Sequence, residues 1–204
     1  HSPINQRLGT NGIRVFTGHS AANVTDADLV VYTAAVKDDN PEIIEAQKRG
    51  IPALDRATLL GQIMETFSYP IGVAGTHGKT TTTSMLSIIL DHARLDPTIL
   101  VGGELDAIGG NVRIGHSSYF LTEAFEYVGS FLKFRPLMSI ILNIDVDHLD
   151  SFKDIDHIYN TFLEYAKLVP KSGSIVACSD DPRVKQLLSE VKCQTISYGL
   201  KGGS

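Results

Sequence analysis

The chain has 204 residues, 43% of them hydrophobic, enough for one or two domains with real cores. A formal net charge of −5 excludes a general polyanion binder, so no nucleic-acid partner is expected; no apolar run approaches the roughly 20 residues of a membrane helix, and no charged-then-apolar signal segment opens the sequence. Two cysteines, Cys178 and Cys193, without a CxxC pair exclude a disulfide scaffold and a thiolate zinc site and fit buried thiols in a reducing, cytoplasmic compartment.

Strand-like and helix-like patterns alternate along the chain. Ser2 as N-cap, Pro3 at the first helical position and Gly12 as a stop predict an opening helix. Arg14–Phe16 and Leu29–Tyr32 read as short strands. Asn40-Pro41 opens a helix to about Arg49, which Gly50-Ile51-Pro52 ends; Ala53–Asp55 is a strand and Ala57–Glu65 a helix. Phe67-Ser68-Tyr69-Pro70 is the best domain boundary, giving segments 1–67 and 68–204. Beyond it come strand Ile71–Ala74, helix Lys79–Ala93, strand Thr98–Val101 with a Gly-rich turn at Gly102-Gly103, and strands Tyr119–Glu123 and Met138–Asn143. Helix Ile155–Leu168, strand Ser174–Ala177, helix Pro182–Val191 and strand Thr195–Ser197 complete the series. This alternation predicts an α/β chain: a mostly parallel sheet with right-handed crossovers and helices on both faces.

Three segments carry the chemistry. In Gly72-Val73-Ala74-Gly75-Thr76-His77-Gly78-Lys79-Thr80-Thr81 a hydrophobic strand enters a glycine-rich turn, then Gly-Lys-Thr, then a helix. That is the layout of a phosphate-binding loop: Gly75 and Gly78 let the backbone curl around an anion, Lys79 supplies charge to the β/γ-phosphates, and the Thr80 hydroxyl can ligate Mg²⁺. A strict Walker A pattern has Gly where this chain has Val73. The following helix opens with four threonines, poor helix formers whose first two hydroxyls suit a phosphate and a metal. Met85, Leu86, Ile88 and Ile89 read as its buried face. Tyr119–Glu123 ends a strand on a carboxylate suited to Mg²⁺. Ile140–Asp150 leaves a strand into a cluster of Asn143, Asp145, Asp147, His148 and Asp150, where His148 offers a metal ligand. Each segment follows the carboxyl end of a predicted parallel strand, where open α/β sheets bind ligands, so Thr80, Glu123 and His148 are expected to converge. His19, His92, His116 and His157 lack ligand spacing and read as surface residues. Ser179-Asp180-Asp181-Pro182 reads as a helix start with no chemistry.

Gly75-Thr76-His77-Gly78-Lys79-Thr80-Thr81, Glu123-Ala124 and Asn143-Ile144-x-x-Asp147-His148-Leu149-Asp150 together resemble the Mur ligase family of peptidoglycan synthesis. Thr33-Ala34-Ala35-Val36 with Asp39-Asn40-Pro41-Glu42, Arg49-Gly50-Ile51-Pro52, Ser130-Phe131-Leu132 and Asp180-Asp181-Pro182 extend the likeness over nearly the whole chain. The resemblance implies the end of a Rossmann-like UDP-sugar-binding domain followed by part of a P-loop-type central ATP-binding domain. The first strand and glycine-rich loop of the former, the later part of the latter and a C-terminal domain are expected to lie outside the chain. It implies ATP-driven amide-bond formation through an acyl-phosphate, with two Mg²⁺ ions. Gly75, Thr76, His77, Gly78, Lys79, Thr80, Thr81 and Asn143 would contact the nucleotide, with Lys79, Glu123 and His148 catalytic. Thr80 and Glu123 would hold the first Mg²⁺, and Glu123 with His148 the second. His77, where many members have Asn, points to the branch that joins L-alanine to UDP-N-acetylmuramate; the muropeptide-recycling branch shares that His, and a non-catalytic Mg-ATP-binding module is the alternative without chemistry. Phe125 departs from the polar or small residue common after Glu-Ala. The 204 residues alone are expected to form no peptide bond, and the oligomeric state stays open.

Overall fold

The computed structural model describes residues 3–147 and 152–200. These divide into two compact units, residues 1–59 and 60–204, with the division inside a helix.

The first unit opens with helix α1 (Pro3–Thr10), which the chain leaves through Gly12 in the left-handed region. The strand expected at Arg14–Phe16 does not form: this segment pairs with no strand among the described residues, and Val15 and Phe16 are exposed. A β-rich triplet has nowhere to donate its backbone hydrogen bonds without a neighbouring strand, and propensity alone does not create one. Strand β1 (Val30–Tyr32) instead pairs in parallel with β2 (Ala53–Asp55), with Val30 opposite Ala53. The crossover between them is α2 (Pro41–Arg49). Its ends are written in the sequence. The Asn40 side chain accepts from the Glu42 N–H at 2.9 Å, Pro41 takes the first turn, Lys48 and Arg49 face the negative helix end, and Gly50 closes it at φ +70°. Helix α3 (Arg56–Glu65) follows at once.

The second unit is a seven-stranded sheet. In chain order its elements are β3 (Tyr69–Ala74), α4 (Lys79–His92), β4 (Thr98–Leu105), β5 (Gly110–Arg113), β6 (Tyr119–Ala124), β7 (Met138–Ile141), α5 (Ile155–Lys167), β8 (Ser174–Cys178), α6 (Pro182–Leu188) and β9 (Gln194–Tyr198). Across the sheet the strands run β5-β4-β6-β3-β7-β8-β9, parallel throughout except for β5 against β4. The expectation of a mostly parallel α/β sheet thus holds, and the antiparallel pair is an addition. Gly102 and Gly103 do not form the expected turn; they lie inside β4, which runs four residues further and turns back through Asp106–Ile108 into β5.

Successive residues of β3 face opposite layers. Ile71 and Val73 pack with Ile99, Val101, Leu121 and Leu90 of α4. Gly72 faces the other way, where any Cβ would collide with the Tyr165 hydroxyl of α5. Helices therefore cover both faces. Tyr165 is fully buried, stacks on Phe131 at 4.5 Å and meets the Ser139 hydroxyl at 3.1 Å; burial pushes its phenol well above the ordinary range.

Helix α4 reverses one expectation. Its buried stripe is Lys79, Thr83, Ser87 and Leu90; of the expected face Met85, Ile88 and Ile89 are exposed, and Leu86, half-buried, packs against the core. The stripe at i, i+4, i+8 and i+11 keeps helical spacing, but small polar side chains fill it. The helix that carries the loop can then lie close on the sheet, and a reading by hydrophobicity picks the wrong side. The thiols of Cys178 and Cys193 are free and half-buried, not buried as expected; partial burial pushes the Cys193 thiol up.

Candidate functional site

The strand order does the assembling. β3 lies between β6 and β7, with Ala74 opposite both Ala124 and Ile141. The segments leaving these three strands at their carboxyl ends are Gly75–Gly78, Phe125 onward, and Leu142–Asp145. Of the expected convergence of Thr80, Glu123 and His148, that adjacency brings together the loop with Thr80 and Glu123, while His148 lies outside the described residues.

Gly75 sits at φ +148° and Gly78 at φ +84°, conformations that L side chains avoid. Space forbids a side chain at Gly75 as well, since a Cβ would come 2.9 Å from Leu142 Cβ and 3.3 Å from the Asn143 nitrogen. The chain leaving β7 pins the loop. Thr76 N–H donates to the Asn143 carbonyl at 3.1 Å, and the Asp145 N–H donates to Thr76 Oγ1 at 2.9 Å. Asn143 binds the His77 backbone on both sides: Oδ1 accepts from its N–H at 2.8 Å and Nδ2 donates to its carbonyl at 3.0 Å. Asn143 therefore fixes the shape of the loop. The His77 side chain is exposed, with Nε2 3.8 Å from Asp145 Oδ2. Thr80 and Thr81 are exposed at the start of α4, where unpaired N–H groups and the helix dipole favour an anion.

Glu123 is 1% exposed at the end of β6. Its partners are neutral donors: the Thr80 hydroxyl at 2.9 Å on Oε2 and the Gly102 N–H at 2.5 Å on Oε1. A buried carboxylate oriented beside a threonine hydroxyl is a hard oxygen pair of the kind Mg²⁺ takes, so the two residues fit that ion. The other expected ligand, His148, lies outside the described residues. Among the described residues no group of three His, Cys, Asp or Glu side chains gathers in metal-binding geometry.

One participant, Glu126, escaped the sequence reading, and Asp145 and Asp181 make contacts beyond those it assigned them. Lys79, 9% exposed, donates to the Gly75 carbonyl at 2.5 Å, the Thr76 carbonyl at 3.1 Å and the carboxylate of Glu126 at 2.9–3.0 Å. Glu126 is 2% exposed, and nothing in its local sequence marks it except its place three residues after Glu123. Asp181 caps α6 as expected, through the N–H groups of Arg183 and Val184. Its second oxygen also accepts from Ile144 N–H at 2.9 Å, tying the β7 exit to the next crossover. Asp145 holds Thr76 through its backbone. Phe125 faces the lysine, its ring centre 5.8 Å from Nζ. His19, His92, His116 and His157 all lie on the surface.

Comparison with known proteins agrees with this architecture. Residues 73–204 match the family model described as the Mur ligase middle domain, and residues 1–68 match the Mur ligase family catalytic domain. The UDP-N-acetylmuramate--L-alanine ligase of Acetivibrio thermocellus is 59% identical over 199 residues, which are 98% of this chain and 42% of that protein. The crystal structure of the UDP-N-acetylmuramate-alanine ligase MurC of Thermotoga maritima superposes with a TM-score of 0.83 at 31% identity, covering 97% of this chain and 44% of that one. The UDP-N-acetylmuramate:L-alanyl-gamma-D-glutamyl-meso-diaminopimelate ligase of Neisseria meningitides gives 0.87 at 28% identity, covering 97% and 67%. The chain spans less than half the length of the curated relatives it matches. With both family models aligned end to end along it, the chain belongs to the Mur ligase family.

Proposed function

We propose that this chain is part of an ATP-dependent ligase that joins L-alanine to UDP-N-acetylmuramate in bacterial peptidoglycan synthesis, a cytoplasmic step. The observation that carries the reading is the meeting of a lysine-bearing glycine loop and the Thr80–Glu123 pair at one end of the sheet. The sugar carboxylate would attack the γ-phosphorus, releasing ADP and leaving an acyl-phosphate; the alanine amine would then attack the acyl carbon and release phosphate. Lys79 would bind the β/γ-phosphates, and the loop N–H groups would cradle them. Thr80 and Glu123 would hold one Mg²⁺, and Glu123 with His148 a second. When bound, the metal would offset the repulsion between two anionic reactants and the charge that builds on the transferring phosphoryl group.

Residues 1–67 would contribute to UDP-sugar binding and 68–204 to ATP binding. The first unit holds a cleft of about 640 Å³ lined by His19, Thr33, Lys37, Asp39 and Asn40, whose polar groups suit a sugar nucleotide. The recycling branch is the second reading, favoured by the fit to the Neisseria structure. Sequence identity favours the alanine-adding branch, at 52–59% for its curated members. ATP-dependent incorporation of radiolabelled L-alanine into UDP-N-acetylmuramate by the intact protein tests the assignment. Preference for an L-alanyl-γ-D-glutamyl-diaminopimelate acceptor over L-alanine would transfer it to the recycling branch, and no incorporation of either would end it.

A further inference from the structure

The ammonium of Lys79 has three N–H donors, and all three are taken: by the carbonyls of Gly75 and Thr76 and by the carboxylate of Glu126. An anion that is to use Lys79 must displace one of them. The two carbonyls lie four and three residues before Lys79 in the loop itself and move with it. Glu126 comes from a different segment, beyond β6, and is the contact that can be exchanged without remaking the loop. It is also the chemical equivalent of what would replace it, an anionic oxygen at hydrogen-bond distance from the ammonium.

The segment that carries Glu126 is strained. Two residues on, Val128 stands at φ +52° with Gly129 at +64° directly after it. A β-branched residue in the left-handed region is rare and costly. The turn is clamped on its far side, where Phe131 N–H donates to the Phe125 carbonyl and the Phe131 ring stacks on Tyr165. Strain is thus confined to the residues between Glu126 and that anchor.

We propose that Glu126 is an internal stand-in for phosphate: a positioning residue that parks Lys79 across the loop and gives it up when a nucleoside triphosphate binds. This rests on reading Gly75–Thr81 as a phosphate loop and adds to it a competitor built into the fold. A lysine parked most of the time lowers apparent nucleotide affinity by the fraction left unparked.

Equilibrium titration of the intact protein with a fluorescent ATP analogue and Mg²⁺ tests it. Glu126→Gln should tighten binding about tenfold, since the amide holds the ammonium less strongly than a carboxylate does. Glu126→Asp keeps the charge but loses reach, and should tighten binding by about threefold. Both gains should shrink to within about twofold when Lys79→Met is present as well. A purely structural role for Glu126 would weaken binding instead, and general repulsion would leave Glu126→Asp unchanged and persist beside Lys79→Met; any of these results overturns the proposal. If Glu126→Gln does not fold, Glu126→Asp carries the same test. Wild-type protein that binds no nucleotide sinks the phosphate-loop reading too, whereas normal binding without a gain in the variants sinks only the parking role.

Discussion

The carboxyl ends of β3, β6 and β7 and the turn region of the first unit around His19 to Glu42 are both polar, yet they hold charge in opposite ways. At the strand ends Lys79, Glu123 and Glu126 are each at most 9% exposed, and each charge is hydrogen-bonded to partners on neighbouring segments. In the first unit, Glu42 accepts from the Asn23 side chain at 2.6 Å and lies 2.9 Å from His19 Nδ1, whose ring is largely exposed. The hydrogen bonds are similar in number and length. Their energetic weight is not, because a buried charge that loses its partner keeps the whole desolvation penalty while an exposed one turns to water. The first region is therefore where substitution should be severe, and the second where it should be mild.

The contrast would break most visibly at Lys79. Lys79→Ala leaves the Glu126 carboxylate buried without its cation, and should lower stability by about 3–5 kcal/mol in denaturant unfolding. Nucleotide affinity by calorimetry should fall by roughly 10- to 100-fold or more with the loss of one or two charge-assisted hydrogen bonds. Unchanged stability would mean the strand-end charges are no more committed than those at the surface. Gly75→Ala comes next. It forces a side chain onto φ +148° and against Leu142, and should cost about 2–3 kcal/mol of stability together with nucleotide binding. Wild-type unfolding in that variant would show that the loop rearranges freely.

What the sequence revealed divides along the same line between local and distant determinants. Asn40, Pro41 and Gly50 set the ends of α2 by contacts within their own few residues, so those ends could be read directly. The glycine loop and the carboxylate closing β6 were legible for the same reason. The adjacency of those segments followed from the rule that ligands collect at the ends of parallel strands. Glu126 was not legible, because its partner lies 47 residues away and its importance comes from burial. The buried side of α4 was misread because close approach to the sheet selects Thr83 and Ser87 over Met85 and Ile89. The β4–β5 hairpin was missed because Gly102 and Gly103, which signal a turn by composition, lie within a paired strand. Arg14–Phe16 shows the converse, strand propensity with no strand to pair with.

Between the extremes stands Asn143, whose side chain is half-buried but uncharged. Asn143→Ala removes both hydrogen bonds to the His77 backbone and should cost about 1–2 kcal/mol, with a modest loss of nucleotide affinity, roughly 3- to 10-fold. Asn143→Asp sharpens the point: its carboxylate still accepts from the His77 N–H but cannot donate to the His77 carbonyl. It should recover part of the stability in the same unfolding measurement. Equal losses in the two variants would place the effect in packing and not in the reciprocal bonds.

The smallest effect belongs to Glu42. The His19 contact, opposed by partial burial and aided by Asn23 and the Ser20 backbone, holds its carboxyl below the ordinary value of 4.5. A carboxyl whose pKa is lower in the folded state than in the unfolded chain adds stability above the unfolded value. That contribution fades as pH falls below about 4.5 and through the folded value. With the side chain in contact with solvent, screening limits it to about 0.5–1 kcal/mol. Amide exchange of the buried α2 residues Ile43 and Ala46 gives a reading confined to this unit. At pH 6 Glu42→Gln should exchange about two- to fivefold faster than wild type there, by the same energy. Once exchange is corrected for its intrinsic pH dependence, the gap should narrow as pH falls below about 4.5 and the wild-type carboxyl takes up its proton too. It should also narrow in high salt, which weakens an exposed pair. A gap that stays constant with pH would trace the effect to a lost packing contact at Glu42. A gap above tenfold would mean that this exposed network holds its charge as tightly as the strand ends do, and the distinction between the two regions would fail.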